Sequence, residues 1–415
     1  MVRPRVVITG VSGITPLAND ISNSWKNLLA GESGIAPLTL FDASAYDSRI
    51  AGEVKNFVPE DFMPAKQARH MDRFSQFAVV AGSALMRDSG FAITTDNAFD
   101  VAVILGVGMG GLHTIEVWHT KLLEAGPGRI SPFMIPMLIS NMGAGQVSIF
   151  TGAKGPNFVT TSACASGVHA IGTAYSEILL NRVTAAVSGG VEATVTPLAV
   201  GGFMALKALS TRHNDNPAKA SRPFDALRDG FVIGEGAGFV FLENLESARA
   251  RDAKIYAEVV GYGASGDAYH MTAPREDGEG MARAMRNALR EAGIPASAVG
   301  HINAHATSTR LNDATETRAI KQVFGNHAGK IKISATKSMT GHLLGAAGGI
   351  EAVFTALALH DEMIPGTINL ENPDPECDLD YMGDGSKHIA CEYAMCNSFG
   401  FGGANASLIL KKWIG

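Results

Sequence analysis

Short runs of β-branched and apolar residues recur along this chain, each separated from the next by turn residues or a helical pattern. That alternation constrains the fold more than any other feature. The runs read RVVITGV, VAVILGV, NFVTTSA, TAAVSGG, GFVFLE, KIYAEVVGYG, VGHINAHA, KIKISAT and ASLILKK. Among the helical patterns, Met281, Ala284, Met285, Ala288, Leu289 and Ala292 follow i, i+3, i+4 spacing, and Gly293 and Pro295 end that helix. Strands alternating with helices predict an α/β fold built from βαβ units with mostly parallel sheets. The 47 glycines suit the tight turns this requires, and 415 residues are enough for about two to three domain-sized units.

Composition removes several function classes. A formal charge of −6 argues against nucleic acid as a partner, since such domains are usually strongly basic. Cys377, Cys391 and Cys396 show neither CxxC spacing nor an adjacent His pair, so no disulfide framework and no metal site are expected. The opening MVRPRVVITGVSG is too short in its apolar run, and too broken by glycine, for a signal peptide. The longest apolar region, Leu343 to Leu359, contains Glu351 and reads as a buried helix, so no membrane insertion is expected. A reducing, cytoplasmic setting follows from these readings.

The chemistry concentrates at TTSACASGVHAIG, residues 160 to 172. A strand-like run leads into it and a helix-like run leaves it, with Cys164 among small neighbours. A strand that turns sharply into a helix presents the turn residue at the top of a sheet, where helix N–H groups lower a thiol's pKa. KISATKSMTGHLLGAAG has the same grammar; aligning Gly167 with Gly341 sets Cys164 over Ser338 and points to an internal repeat. His305, at the end of the strand-like VGHINAHA, and His342, at a helix start, stand where α/β sites collect. A Cys with two His suggests covalent acyl chemistry with a charge-stabilising pair. The glycines around Phe401 in NSFGFGGANASL let backbone N–H groups approach a substrate closely. GYGASG, from Gly261, has no clear helix after it and no Asp or Glu near the expected strand end, and GVGMGG, from Gly106, is discounted as well; neither supports nucleotide binding.

Taken together, RVVITG, GPNFVTTSACASG, VGGFMALKALSTR, ASRPFDALRDGFVIGEGAG, SATKSMTGHLLGAAGG and NSFGFGG resemble the elongating β-ketoacyl-[acyl-carrier-protein] synthases, over essentially the whole chain. The resemblance implies a thiolase-like fold of two similar α/β halves in a five-layer αβαβα arrangement. It places the nucleophile Cys164 in residues 1–255 and both histidines in residues 256–415. It implies a homodimer with no bound cofactor, its substrates carried on the phosphopantetheine arm of acyl carrier protein, loaded with acyl or malonyl groups.

By the same resemblance, Cys164 holds the acyl group as a thioester. The N–H groups of Cys164 and Phe401 form an oxyanion hole. His305 and His342 stabilise the enolate left by malonyl decarboxylation, and Lys337 and Glu351 shape the charge around them. Thr307 and Thr309 bind the pantetheine, and Met109, Met134, Phe203 and Phe401 line or gate the acyl pocket. Lys66, Arg69, Arg129 and Lys207 become candidate contacts to an acidic carrier protein. The chain departs from the family pattern at Ala306, Arg310 and Asn312, near the tunnel mouth; Ala306 adds only a methyl group, and Asn tolerates a left-handed backbone better than most residues. Two alternatives stay open: a ketosynthase of a specialised type II polyketide or aryl-polyene pathway, and a non-catalytic chain-length scaffold subunit.

Overall fold

All nine runs become strands of one ten-stranded mixed sheet in the computed structural model, which describes residues 3–415. The tenth strand, Tyr393–Gly400, lies inside YAMCNSFG, whose Cys, Asn, Ser and Gly give no β-branched signal. The order across the sheet is Lys332–Ser334, Val299–Asn303, Tyr393–Gly400, Ala404–Lys412, Ala257–Gly266, Val6–Ile14, Gly236–Asn244, Ala185–Glu192, Val101–Gly106 and Asn157–Thr160.

This order is a repeat. From Val6–Ile14 outward, the pairings run antiparallel, antiparallel, parallel, parallel. From Ala257–Gly266 outward, the other half gives the same series. The two halves meet edge to edge where Val6, Val7 and Ile8 pair antiparallel with Val259, Glu258 and Ala257. Parallel pairing is therefore confined to the outer three strands of each half, and the expectation of mostly parallel sheets is corrected: four of nine pairings are parallel. The cause is that each half closes with an antiparallel pair next to the seam.

Helices sort into layers by the polarity of their faces. Ala347–Asp361 is buried from Ala347 through Leu359, the signature of a helix apolar on every side. It packs on Ser166–Leu179, and both contact strands of the two half-sheets, forming the middle layer. Each fully buried Leu, Val, Ile or Phe there contributes roughly 1.5–3 kcal/mol. Outside the N-terminal half lie Arg73–Ser89 and Met142–Thr151, and outside the C-terminal half Glu279–Ala292 and Arg310–Phe324. Glu279–Ala292 turns Met281, Met285 and Leu289 inward and ends at Gly293 with φ 66°. The layers read αβαβα. Among the described residues, no helix is long and apolar enough to cross a membrane.

The glycines of GYGASG serve this packing. A Cβ on Gly261 would lie 2.4 Å from the Ala288 carbonyl, and one on Gly263 2.1 Å from that of Ala284. They let Glu279–Ala292 lie close on its strand, a structural use unrelated to nucleotides.

Candidate active site

The two strand–turn–helix junctions of the repeat converge on one cavity of about 570 Å³. In the first, Asn157–Thr160 ends four residues before Cys164, and Ser166–Leu179 starts two residues after it. Ala163 takes φ 50°, a left-handed backbone that few non-glycine residues accept, so the elbow is strained as such turns are. Ser398 Oγ donates to the Cys164 carbonyl at 2.8 Å and pins the turn.

In the second junction, Lys337 opens the short helix Lys337–Thr340. His342 follows Gly341 and precedes the 3-10 turn Leu344–Ala346, so it stands ahead of the long helix, not at its start as expected. Its backbone N–H donates to the Val232 carbonyl at 2.7 Å. The strand expected to end at His305 stops at Asn303, and His305 lies two residues beyond it.

The side chains then meet. His342 Nε2 lies 2.9 Å from Cys164 Sγ. The His305 and His342 rings stand 5.4 Å apart and nearly perpendicular. Lys337 Nζ is 3.4 Å from His305 Nδ1 and forms an ion pair with Glu351. All of these groups are buried. Burial, then the Lys337 charge and His342, hold His305 well below the usual imidazole value; burial and Lys337 do the same for His342. Both rings are therefore neutral near pH 7. Burial pushes the Cys164 thiol up to about 12, while Lys337 and the N–H groups of Phe401 and Cys164 draw it down. The lowered thiol pKa expected from the helix N-terminus is thus corrected: desolvation is the larger effect.

Two buried carboxylates escaped the sequence reading. Glu316 accepts the N–H groups of His305 (2.9 Å) and Ala306 (2.8 Å), fixing the backbone that carries the first histidine. Burial lifts its carboxyl to about 7. Glu192 accepts N–H groups from Gly108, Met109, Gly110 and Gly345. Its donors lie 82 to 153 residues away in sequence, so no local pattern marks it.

The cavity brings together Met109, Phe203, Thr307, Thr309 and Phe401 with Cys164 and both histidines. The Thr307 and Thr309 hydroxyls are 3.0 Å apart, and Thr309 also caps the helix Arg310–Phe324. Phe401 is partly exposed on a turn in which Gly402 and Gly403 have φ 78° and 69°. A Cβ on Gly400 would lie 3.2 Å from the Cys164 nitrogen, so this turn lies against the nucleophile's backbone. Met134 is not among the cavity-lining residues; it begins the short helix Met134–Leu138. Lys207 lines the cavity, whereas Lys66, Arg69 and Arg129 are exposed outside it.

The departures resolve differently. Ala306 takes φ 34°. Asn312 lies within the helix Arg310–Phe324, so its tolerance of a left-handed backbone is not called on there.

Cys164 Sγ and one nitrogen from each histidine lie within 4.8 Å of one another, a donor set that a metal could use. The Lys337 ammonium beside His305 opposes a second cation there. The arrangement instead provides a thiol, a ring able to exchange its proton, and a second neutral ring beside it. That combination suits transfer of an acyl group through a covalent thioester.

Residues 3–248 match the family model "Beta-ketoacyl synthase, N-terminal domain", and residues 256–371 match "Beta-ketoacyl synthase, C-terminal domain". The chain belongs to the β-ketoacyl synthase family. A 3-oxoacyl-[acyl-carrier-protein] synthase 2 from Synechocystis is 52% identical to this synthase over 411 residues, covering 99% of each chain. Among solved structures, a β-ketoacyl synthase from Burkholderia phymatum superposes with TM-score 0.92 at 38% identity, covering 99% of this synthase and all of that chain. A type II polyketide ketosynthase solved with its acyl-carrier protein and a bound hexaketide gives TM-score 0.90 at 33% identity, over 99% of this synthase and all of that chain. The thiolase-like fold of this synthase is the one its two-half sheet displays.

Proposed function

We propose that this synthase lengthens acyl chains by two carbons through decarboxylative condensation, with the acyl group held on Cys164. The chain is an acyltransferase of the condensing type. The observation that carries the division of roles is the 2.9 Å contact between Cys164 Sγ and His342 Nε2, with His305 alongside.

In the first half-reaction, the Cys164 sulfur attacks the thioester carbonyl of an acyl carrier protein and its proton passes to His342. The tetrahedral oxyanion is held by the N–H groups of Cys164 and Phe401. The carrier thiol then leaves with the proton. In the second, malonyl carrier protein enters with its pantetheine against Thr307 and Thr309. His305 donates to its thioester carbonyl, joined by His342 in its Nε2–H tautomer, while carbon dioxide leaves. The enolate carbon attacks the acyl-Cys164 carbonyl, a C–C bond forms, and the Cys164 sulfur departs. Neutral rings suit this task, since they donate to the developing enolate oxygen without a permanent charge. Residues 1–255 thus supply the nucleophile and residues 256–415 the pair that handles the enolate.

No bound cofactor takes part in this scheme; the pantetheine arm belongs to the substrate. We assign carrier-protein contact to Lys66, Arg69, Arg129 and Lys207, which form no ion pair among the described residues. We also assign a homodimer, supported by the sheet-edge strand Asn157–Thr160 with exposed Phe158 and by exposed Phe133, Ile135, Ile139 and Ile149. Four free cysteines suit a cytoplasmic setting. Fatty-acyl elongation is preferred over a polyketide role because the 52% relative exceeds the polyketide ketosynthase at 33%. The buried Cys–His–His set speaks against a scaffold subunit.

The test separates the half-reactions. Cys164→Ala should lower condensation by on the order of 10³-fold or more, the scale seen when a nucleophile is removed, yet still release carbon dioxide from malonyl carrier protein. Retained condensation contradicts the reading.

A further inference from the structure

Glu192 ends the strand Ala185–Glu192 with no solvent exposure, and it has no basic ion-pair partner among the described residues. A buried carboxylate without such a partner is costly unless donors surround it. Here the donors are backbone. Oε2 accepts Gly108 N–H at 2.8 Å and Gly345 N–H at 3.2 Å; Met109 N–H lies 3.2 Å from both oxygens, and Gly110 N–H 3.2 Å from Oε1. Three successive N–H groups around one carboxylate form an anion nest.

The glycines of GVGMGG follow from this. A Cβ on Gly108 would lie 2.3 Å from Glu192 Oε2, and one on Gly345 2.6 Å from it. Gly110 has φ 75°, which turns its N–H toward the same carboxylate. The motif cradles an anion after all, and the anion is a side chain of the same protein.

The held segment carries Met109, whose side chain lines the cavity beside Cys164. The fourth donor, Gly345, lies three residues after His342. We propose that Glu192 is a positioning residue for acyl-chain selection, bolting the Met109 wall of the cavity to the segment that carries His342. This rests on reading the cavity as the acyl pocket. Met109 discriminates between chains only while its backbone is fixed, and Glu192 fixes it by accepting four N–H groups; burial lifts its carboxyl to about 7, and its ionised form makes these bonds about twice as strong as neutral ones.

The test is a competition. The synthase is offered equal amounts of a short-chain and a long-chain acyl carrier protein, and the two acyl masses on the Cys164 peptide give a selection ratio. Met109→Ala should shift that ratio by about tenfold, the scale of a pocket methylene contact. Glu192→Gln keeps the volume and places an amide NH₂ against N–H donors. In the Glu192→Gln background, Met109→Ala should shift the ratio by no more than about twofold, because the wall is already loose. An equal shift in both backgrounds, with the Glu192→Gln ratio unchanged from the native protein, overturns the proposal; a purely structural Glu192 gives that result. Should Glu192→Gln not fold, Glu192→Asp enters the same cycle. Hydrogen exchange on the native protein reads the clamp directly: the amides of Gly108, Met109 and Gly110 should be protected, and fast exchange at all three also overturns it. Absence of any acyl mass on Cys164 would instead defeat the condensation reading itself.

Discussion

Cys164 stands four residues past the end of Asn157–Thr160, and Ser338 stands four past the end of Lys332–Ser334. The two junctions occupy equivalent places in a repeated topology, yet they carry opposite burdens. The N-terminal one passes almost directly into its long helix and presents an uncharged thiol. The C-terminal one inserts Lys337–Thr340, Gly341 and His342 before its long helix begins at Ala347; that insertion holds a buried cation and a histidine, and the long helix supplies the cation's carboxylate partner, Glu351. Lys337 occupies the position of Ala163 in the aligned repeat. The difference shows how one scaffold supplies a nucleophile from one side and charge management from the other: the turn stays short where a sulfur must be reached and lengthens where charges must be enclosed.

The largest break in this comparison should come from stripping the charged junction. Lys337→Ala leaves Glu351, 1% exposed, without its partner, and loss of one member of a buried pair costs about 3–5 kcal/mol. Denaturant unfolding should show that loss, whereas Ser338→Ala, at the position aligned with Cys164, should cost no more than about 1–2 kcal/mol through its bond to the Ala335 carbonyl. Equal losses would mean that the two positions do not differ as described.

A pH profile sharpens the comparison from the histidine side. In Cys164→Ala, malonyl decarboxylation depends on neutral His305 and His342. Both are held well below 6.5 by burial and Lys337, so the neutral form persists as pH falls through 6.5 and the rate declines only at lower pH. A decline centred at 6.5 would show ordinary, solvated rings. The smallest effects belong to the surface. Reversing the charge of Lys66, Arg69, Arg129 or Lys207 singly should weaken carrier-protein binding by about 0.2–1 kcal/mol each, more at low salt; unchanged affinity for all four removes the patch.

How much of this was legible follows from where each signal resides. Strands with β-branched runs, the helix ending at Gly293 and the Cys164 elbow are written in neighbouring residues, so sequence spacing exposes them. Tyr393–Gly400 was not, because its buried Asn397 and Ser398 are satisfied by distant partners such as Ser407 and the Cys164 carbonyl. Glu192 and Glu316 were invisible for the same reason: each is defined by the backbone groups around it, and a lone Glu at a strand end or in a helix looks like solvated surface. The thiol's raised pKa was equally hidden, since desolvation depends on what covers Cys164 and not on its flanking residues.

The central claim is that the Cys164 sulfur carries the growing chain. Incubating the synthase with acyl-loaded carrier protein, in the absence of malonyl carrier protein, then measuring peptide masses after quenching in acid, tests it most directly. The acyl mass is expected on the peptide that contains Cys164 and on none containing Cys377, Cys391 or Cys396. An unmodified Cys164 peptide from enzyme that goes on to condense would contradict it.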